Sequence, residues 1–156
     1  MERTGGEKPS AMLLTGTHPR TLDAKNRLVL PKRVRELFGE VVQLYVVPGA
    51  DKSLWIYTKA DLERLAAKLD ESPATDGEAR VFRRLFFAQM EEVDLDRAGR
   101  MLIPDRLVAF AGLGHDVMLL GVRDHLELWD AKQWQAYQEQ HSSEFDKFAE
   151  AAFRNK

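Results

Sequence analysis

Residues 22–34 read LDAKNRLVLPKRV, and residues 95–107 read LDRAGRMLIPDRL, so one stretch of the chain returns 73 residues later. Leucine, aspartate, arginine and proline recur at the same spacing, followed by a second arginine. The three residues between the first arginine and the proline are apolar in both copies. A duplicated unit of this kind indicates internal pseudo-symmetry, which is most useful when the target is itself repetitive.

The composition is that of a water-soluble globular chain, with 44% hydrophobic and 31% charged residues among 156. No apolar run approaches the roughly 20 residues that cross a membrane. The chain has no cysteine, which excludes disulfides, thiolate metal sites and thiol catalysis. Residues 1–10 are polar and lack the apolar core of a signal peptide, so we expect a cytoplasmic protein.

The net charge of −2 argues against nucleic-acid binding at first, because domains that bind nucleic acid are usually basic. The charge is unevenly distributed, however. Residues 18–36 hold six basic and two acidic side chains, a net charge of +4. Residues 91–106 hold three basic and five acidic side chains, a net charge of −2. A local basic patch, rather than the charge of the whole chain, decides where a phosphate backbone docks.

Each copy of the repeat predicts a β-hairpin with a three-residue loop and a helix directly behind it. Loops of this length commonly end in a residue with positive φ. Asn26 and Gly99 hold that place in the two copies, and they are the residue types that tolerate positive φ best. Pro31 favours the first position of a helix, and Gly39 is placed to end that helix.

Hydrophobic patterning predicts the other elements and an α+β protein. Strands are expected at 20–23, 27–30, 41–47, 54–57, 91–96, 117–122 and 126–129, and further helices at 59–69, at 78–90 and from 131 into the tail. The chain then divides into a flexible arm (1–11), a first repeat (12–75), a connecting helix (76–90), a second repeat (91–137) and a C-terminal helical tail (138–156).

Asp23 and Arg27, like Asp96 and Arg100, stand at opposite ends of a tight loop. One interpretation is structural: the two side chains form an ion pair, and the aspartate also accepts hydrogen bonds from the loop N–H groups. The functional interpretation is that the aspartate supports a stiff loop while the arginine and its neighbours project a basic tip. The planar guanidinium binds phosphate or a guanine edge with two hydrogen bonds. Several such loops on one assembly would bind a duplex together.

The order of these motifs resembles the MraZ transcriptional regulators, which belong to the wider AbrB-like group of swapped-hairpin barrels. The similarity covers roughly residues 12–140 and rests on Gly16, LDxKxRLxLP from Leu22, the helix with Arg80, Phe86 and Ala88, DxDxxGRxxIP from Asp94, Ala111-Gly112-Leu113 and Leu126-Glu127-Leu128-Trp129. It implies two tandem AbrB-like β-hairpin/helix repeats that form a pseudo-twofold swapped-hairpin β-barrel with flanking helices.

The resemblance also implies a function. The protein would be a repressor that binds double-stranded DNA at short direct repeats in the promoter of the bacterial division and cell-wall gene cluster. It would assemble into a ring-like homo-oligomer and associate with the nucleoid. By position, the resemblance assigns DNA contacts to Lys25, Arg27, Arg97 and Arg100, and support of the loops to Asp23, Asn26, Asp96 and Gly99.

Two departures from the family pattern affect this assignment. Asn26 replaces the usual glycine of the first loop, and asparagine still tolerates the backbone conformation required there. In the second loop Ala98 stands where the first loop has Lys25, and the surroundings are acidic. We therefore expect Arg27 to contribute more to DNA binding than Arg100.

Other functions have less support in the sequence. The four histidines (His18, His115, His125 and His141) lack ligand spacing, and we expect no metal or other cofactor. No nucleophile–base set or glycine-rich phosphate loop is recognisable, so we expect neither an enzyme nor a small-molecule substrate. A small enzyme that acts on an anionic substrate at the basic segment therefore ranks last among the alternatives. The main alternative is a protein-interaction module, such as the antitoxin members of the same barrel group. Those usually carry one hairpin unit and a disordered tail, whereas here the unit is duplicated and the tail has helical spacing.

Overall fold

The computed structural model describes residues 12–73 and 75–154, and the order of its elements follows the duplication. The first half contains β1 (Thr17–Thr21), β2 (Arg27–Val29), α1 (Lys32–Phe38), β3 (Gln43–Pro48), β4 (Leu54–Tyr57) and α2 (Lys59–Leu69). Helix α3 (Gly77–Ala88) leads to β5 (Glu91–Asp94), β6 (Arg100–Leu102), α4 (Asp105–Ala111), β7 (Asp116–Gly121) and β8 (Leu126–Asp130). The chain continues into α5 (Ala131–His141) and α6 (Phe145–Arg154). The arm predicted at residues 1–11 lies outside the described residues.

The same residue types begin and end the short helix of each repeat. Pro31 and Pro104 lie immediately before the first helical residue, with extended backbone, and each helix then runs for seven residues. Gly39 and Gly112 follow the helices at φ 66° and 59°, a region that glycine enters at little cost. The predicted helix signals are therefore confirmed, with the helix beginning one residue after each proline.

The predicted hairpins need a correction. The sequence pairs a strand at 20–23 with one at 27–30, but β1 ends at Thr21 and lies antiparallel to β7, while β2 lies antiparallel to β6. The Leu22 N–H donates to the carbonyl of His115 at 2.9 Å, so the chain is still paired with the second half where the loop begins. Each loop therefore connects two strands whose main partners belong to the other half.

The larger sheet also pairs strands of one half with strands of the other. Its six strands lie in the order β1-β7-β8-β4-β3-β5, all neighbours antiparallel. Exchanging equivalent strands of the two halves (β1 with β5, β3 with β7, β4 with β8) leaves that order unchanged. The pseudo-twofold axis therefore passes between β4 and β8, and the first strand of each half pairs with the third strand of the other.

One hydrophobic core is built from both halves. Its most buried large side chains come in similar numbers from each: Leu14, Leu28, Leu30, Leu44, Leu54 and Ile56 from the first, and Met101, Ile103, Leu107, Leu119, Leu126 and Leu128 from the second. Neither half buries these side chains by itself, because strands from both halves alternate in the sheet and bring the side chains together.

The α+β class is thus confirmed, with antiparallel sheets. The described strands form an open six-stranded sheet and the separate two-stranded β2–β6 ribbon, and within residues 12–73 and 75–154 they do not close into a barrel. The swapped-hairpin barrel stays a prediction. None of the described helices is long and apolar enough to span a bilayer.

A histidine ties the two halves together beside the pseudo-twofold axis. His125 stacks on Tyr57 with the ring centres 5.2 Å apart, and its ring nitrogens lie 2.8 Å from Asp124 and 3.0 Å from Glu127. Burial alone would lower the pKa of His125, but the hydrogen bonds to Glu127 and Asp124 outweigh it and raise the pKa above its ordinary value. Folding therefore stabilises the imidazolium form of His125 relative to the same side chain in the unfolded protein.

We expect His125→Phe to lower the free energy of unfolding by about 1–3 kcal/mol at pH 6, because hydrogen bonds to charged groups are lost while the aromatic stack remains. A group whose pKa is raised by folding stabilises most below its unfolded pKa of 6.5, and the contribution disappears as the pH rises through the folded pKa. Urea unfolding of both proteins between pH 5.5 and 9 should show a difference that shrinks with pH. A difference that is constant with pH would exclude a charged His125.

Candidate nucleic-acid interface

The first loop is built around the carboxylate of Asp23. Its Oδ1 accepts hydrogen bonds from the backbone N–H groups of Lys25 at 2.8 Å and Arg27 at 2.9 Å, and its Oδ2 accepts one from Arg27 Nε at 2.7 Å. The Asn26 N–H is donated to the Asp23 carbonyl at 2.9 Å, and Asn26 has φ 60°. One side chain thus fixes both the backbone of the loop and the guanidinium at its end.

The second loop has the same geometry. Asp96 Oδ1 accepts from the N–H groups of Ala98 and Arg100, each at 2.9 Å, and Oδ2 accepts from Arg100 Nε at 2.9 Å. Gly99 has φ 78°, and its N–H is donated to the Asp96 carbonyl at 2.9 Å. The positive φ predicted for Asn26 and Gly99 is confirmed at both positions.

The hydrogen bonds keep both aspartates ionised. The backbone N–H of Arg27 is the largest influence on Asp23, and that of Arg100 the largest on Asp96; each lowers the pKa of the carboxyl below its ordinary value, assisted by the guanidinium. Since a depressed pKa maintains the charged form into acid, the loop geometry persists until the pH falls through the lowered pKa.

The antiparallel β2–β6 ribbon joins the two loops, which lie at its opposite ends. Arg27 lies opposite Leu102 and Arg100 opposite Val29, whereas the central pair of Leu28 and Met101 is buried. Both arginines therefore project from the outer face of the ribbon, as diagonal neighbours about 7–8 Å apart at the backbone. Side-chain exposure is 35% for Arg27 and 39% for Arg100.

Each loop is also attached to the opposite half, through contacts that the sequence did not reveal. In the first loop, Asn26 Nδ2 donates a hydrogen bond to Asp105 Oδ1 of α4 at 2.9 Å. In the second, Arg35 Nη2 of α1 donates a hydrogen bond to the Arg97 carbonyl at 3.0 Å, and a Cβ at Gly99 would overlap the Arg35 guanidinium. Asp105 and Arg35 do not occupy equivalent repeat positions, so comparing the two copies could not find them.

The eight predicted residues are brought together on these two loops. Lys25 and Arg97 are exposed on the loop tips, Arg27 and Arg100 are half-buried at the loop ends, and Gly99 is buried against Arg35. Asp23, Asn26 and Asp96 support the loops through the hydrogen bonds given above. In the described part of the chain, no hydrogen bond is made by Nη1 or Nη2 of Arg27 or Arg100.

The surroundings of the two loops differ in charge, as the sequence indicates. Near the second loop, the one basic residue that follows the motif proline, Arg106, is bound by Glu91 at 2.6 Å and by the Gln89 carbonyl at 2.7 Å. The charge of Arg106 is therefore paired within the protein. Among residues 12–73 and 75–154, no three His, Cys, Asp or Glu side chains are grouped so as to hold a metal ion.

The two cross-half contacts predict local effects on loop motion. Asp105→Ala should speed amide exchange at residues 25–27 about two- to tenfold, because one hydrogen bond contributes about 0.5–1.5 kcal/mol, and should leave residues 98–100 unchanged. Arg35→Ala should speed amide exchange at residues 98–100 by a similar factor and leave residues 25–27 unchanged. Lys32→Ala, at the repeat position equivalent to Asp105, serves as the control. Equal effects of both variants on both loops would contradict independent bracing.

Two tandem repeats, each with an arginine loop supported by its own aspartate, and joined by strands that pair across the halves, define a duplicated loop/helix protein. Comparison with known proteins identifies the family. The family described as "MraZ protein, putative antitoxin-like" matches residues 13–85 and again residues 86–156. The chain belongs to the MraZ family.

Similar proteins extend over most of the chain. A protein of Acetivibrio thermocellus is 39% identical over 122 residues, covering 78% of this chain and 84% of that protein. A protein of Lactiplantibacillus plantarum is 36% identical, and the match covers 86% of this chain and 94% of that protein. A protein of Saccharopolyspora erythraea is 35% identical, and the match covers 85% of this chain and 92% of that protein. All three are named "Transcriptional regulator MraZ".

Proposed function

We propose that the chain is a transcriptional regulator that binds double-stranded DNA sequence-specifically through its two arginine loops. The observation that carries the proposal is the pair of guanidinium groups, Arg27 and Arg100, on one exposed face of a short ribbon, each fixed at Nε by its own aspartate. Membership of the MraZ family and the names of its relatives support the same class of function.

The hydrogen-bond geometry suits recognition of DNA. Because Nε is occupied, the Nη1–Nη2 edge of each guanidinium is the edge that remains for a ligand, and it can donate two hydrogen bonds to guanine O6 and N7 or to phosphate oxygens. Fixing the side chain beforehand reduces the conformational entropy lost on binding. Lys25 and Arg97, exposed on the loop tips, would contact the phosphate backbone, which positions a protein without reading sequence.

A single pair of loops offers a small contact area, so the proposal includes self-assembly. Homo-oligomers, arranged as a ring, would place several ribbons on neighbouring direct repeats and multiply their affinities. In this proposal the six-stranded sheet and the β2–β6 ribbon pack together as the swapped-hairpin barrel of the wider group, without continuous pairing between the edge strands β1 and β5. The protein acts in the cytoplasm at the nucleoid and represses the division and cell-wall gene cluster, with no membrane or small-molecule partner.

Nuclease footprinting of the DNA upstream of the gene that encodes the protein tests the proposal. Protections should recur at about one helical turn, roughly 10–10.5 base pairs, if loops of one assembly contact one face of the duplex. Affinity should fall steeply with salt, because phosphate contacts release counterions. Absence of protection, or affinity that does not change between 50 and 200 mM salt, would overturn the proposal.

A second candidate function is a protein-interaction module of the antitoxin type, which the words "antitoxin-like" in the family's description favour. In that case the protein should co-purify with an unrelated protein in fixed stoichiometry. Affinity purification from the native cell, followed by mass spectrometry, separates the two functions when it is combined with the footprint.

A further inference from the structure

The outer face of the β2–β6 ribbon holds two apolar side chains beside the two arginines. Val29 is 46% exposed and Leu102 is 52% exposed, and the residue that separates each of them from its arginine is buried. Successive side chains of a strand point to opposite faces, so Val29 shares a face with Arg27, and Leu102 shares it with Arg100. We call these four residues the ribbon face.

The ribbon face alternates arginine with an apolar residue around a small quadrilateral. Arg27 lies opposite Leu102, and Val29 lies opposite Arg100. Each arginine therefore has one apolar neighbour across the ribbon and another two residues along its own strand. The Cβ atoms of opposite residues lie about 4.5–5.5 Å apart, and two residues along a strand span about 6.7 Å. Val29 and Leu102 hold equivalent positions in the two repeats, so both arginines have the same neighbours.

The backbone edge of β2 is already occupied beside this face. The Val29 carbonyl accepts a hydrogen bond from Arg20 Nε at 3.0 Å, and the Arg27 carbonyl accepts one from the Asp23 N–H at 3.1 Å. These contacts disfavour a peptide that would pair with β2 as an added strand. The exposed apolar surface is therefore available to a partner that meets side chains rather than backbone, and Arg20 adds a third positive charge beside it.

Charge and shape favour DNA as that partner. The guanidinium groups at two corners of the ribbon face attract a polyanion. The major groove of B-DNA admits a two-stranded β-ribbon, and thymine presents an apolar group there, its C5-methyl. Base pairs follow one another at about 3.4 Å, so two residues along a strand of the ribbon match about two base pairs.

We propose that Val29 and Leu102 contact the C5-methyl groups of thymines within about two base pairs of the bases that Arg27 and Arg100 bind. The inference rests on the proposed function and deepens it, because it names the class of DNA site: guanine read by the arginines, with thymine close by in the major groove. Contact between apolar groups removes their surfaces from water and releases no counterions. The preference for thymine should therefore not depend on salt, although the affinity itself does.

A DNA probe that lacks only the methyl groups tests the proposal. The footprinted promoter fragment is prepared twice, once with thymine and once with deoxyuridine in its place throughout the protected segments, which keeps the base pairing. The wild type should bind the thymine fragment more tightly, by about fourfold for each methyl group contacted, the effect of one buried carbon. Fluorescence polarisation measures both affinities, and their ratio should be the same at 50 and 200 mM salt.

Two matched variants locate the contact. The double variant Val29→Ser/Leu102→Ser should bind both fragments with equal affinity, because its arginines remain and its apolar side chains are gone. Both positions are exposed, so circular dichroism should show the wild-type fold. Val122→Ser is the control, at a residue 38% exposed that follows β7 at the end remote from the first loop. It should keep the wild-type preference for thymine.

Every other pattern overturns the proposal. If the wild type binds both fragments equally, the methyl groups are not contacted, while DNA binding and the proposed function stand. A thymine preference that persists in the double serine variant belongs to other residues or to the shape of the DNA. If that variant instead loses a co-purifying protein and keeps the preference, the ribbon face is a protein-docking surface. Absence of binding to either fragment overturns the proposed function as well.

Discussion

Replacing Arg27 by alanine is expected to reduce affinity for promoter DNA about 30-fold or more. A bidentate contact between arginine and a base contributes about 1–3 kcal/mol. If at least two copies of the loop bind one DNA fragment, the binding free energy of at least two such contacts is lost. The minimum loss of binding free energy is then about 2 kcal/mol. Fluorescence polarisation on a fragment with several direct repeats measures the change, and light scattering checks that the assembly is intact.

Three variants make this expectation specific. Arg33→Ala removes the same charge from the exposed surface of α1, outside the loops, and should have a smaller, salt-sensitive effect. Arg100→Ala should weaken binding less than Arg27→Ala, because acidic residues surround the second loop. Asp23→Asn should weaken binding while the positive charge of Arg27 is retained, since the loop loses its support. Unchanged affinity of Arg27→Ala would remove the first loop from the interface.

The second large effect is expected in stability. Leu28→Ala should lower the free energy of unfolding by about 2–5 kcal/mol, the usual cost when a fully buried leucine is truncated and leaves a cavity. Leu28 is 0% exposed and lies opposite Met101 in the centre of the β2–β6 ribbon. Urea unfolding monitored by circular dichroism measures the change through the midpoint, with the slope expected to stay constant.

The neighbouring residue provides the control for that measurement. Val29 is 46% exposed on the outer face of the ribbon, so Val29→Ala should change stability by no more than about 0.5 kcal/mol. Leu28→Ala is also expected to increase amide exchange in both loops, because the buried pair supports them jointly. If exchange rises in the first loop only, the ribbon does not couple the two.

The features that the sequence predicts correctly are local. The positive φ of Asn26 and Gly99 follows from the steric tolerance of single residues, and the proline and glycine signals around α1 depend on adjacent backbone only. The helix at Lys59–Leu69 and the strand at Leu54–Tyr57 have the predicted bounds, because their apolar periodicity meets clear polar flanks. Asp23 and Arg27 contact each other because only three residues separate them.

The features that it misses are long-range. Periodicity identifies an apolar strand but not its partner, so the pairing of β1 with β7 was not predictable from either segment. The contact between Asn26 and Asp105 spans 79 residues, and that between Arg35 and Arg97 spans 62. In each contact, the residue at the equivalent position of the other repeat does not make the same contact, so the duplication gives no signal. Exposed charged residues also usually have no single partner that the sequence could indicate.

The unlike contacts behind the two tips have an evolutionary consequence. In a homodimer of single repeats, any mutation at one tip would appear at both. Here the copies are joined in one polypeptide, and an asparagine–aspartate bond secures one tip where an arginine–carbonyl bond secures the other. Selection can therefore alter one tip while leaving its twin untouched, and the fused molecule is free to diverge into a recogniser of asymmetric targets.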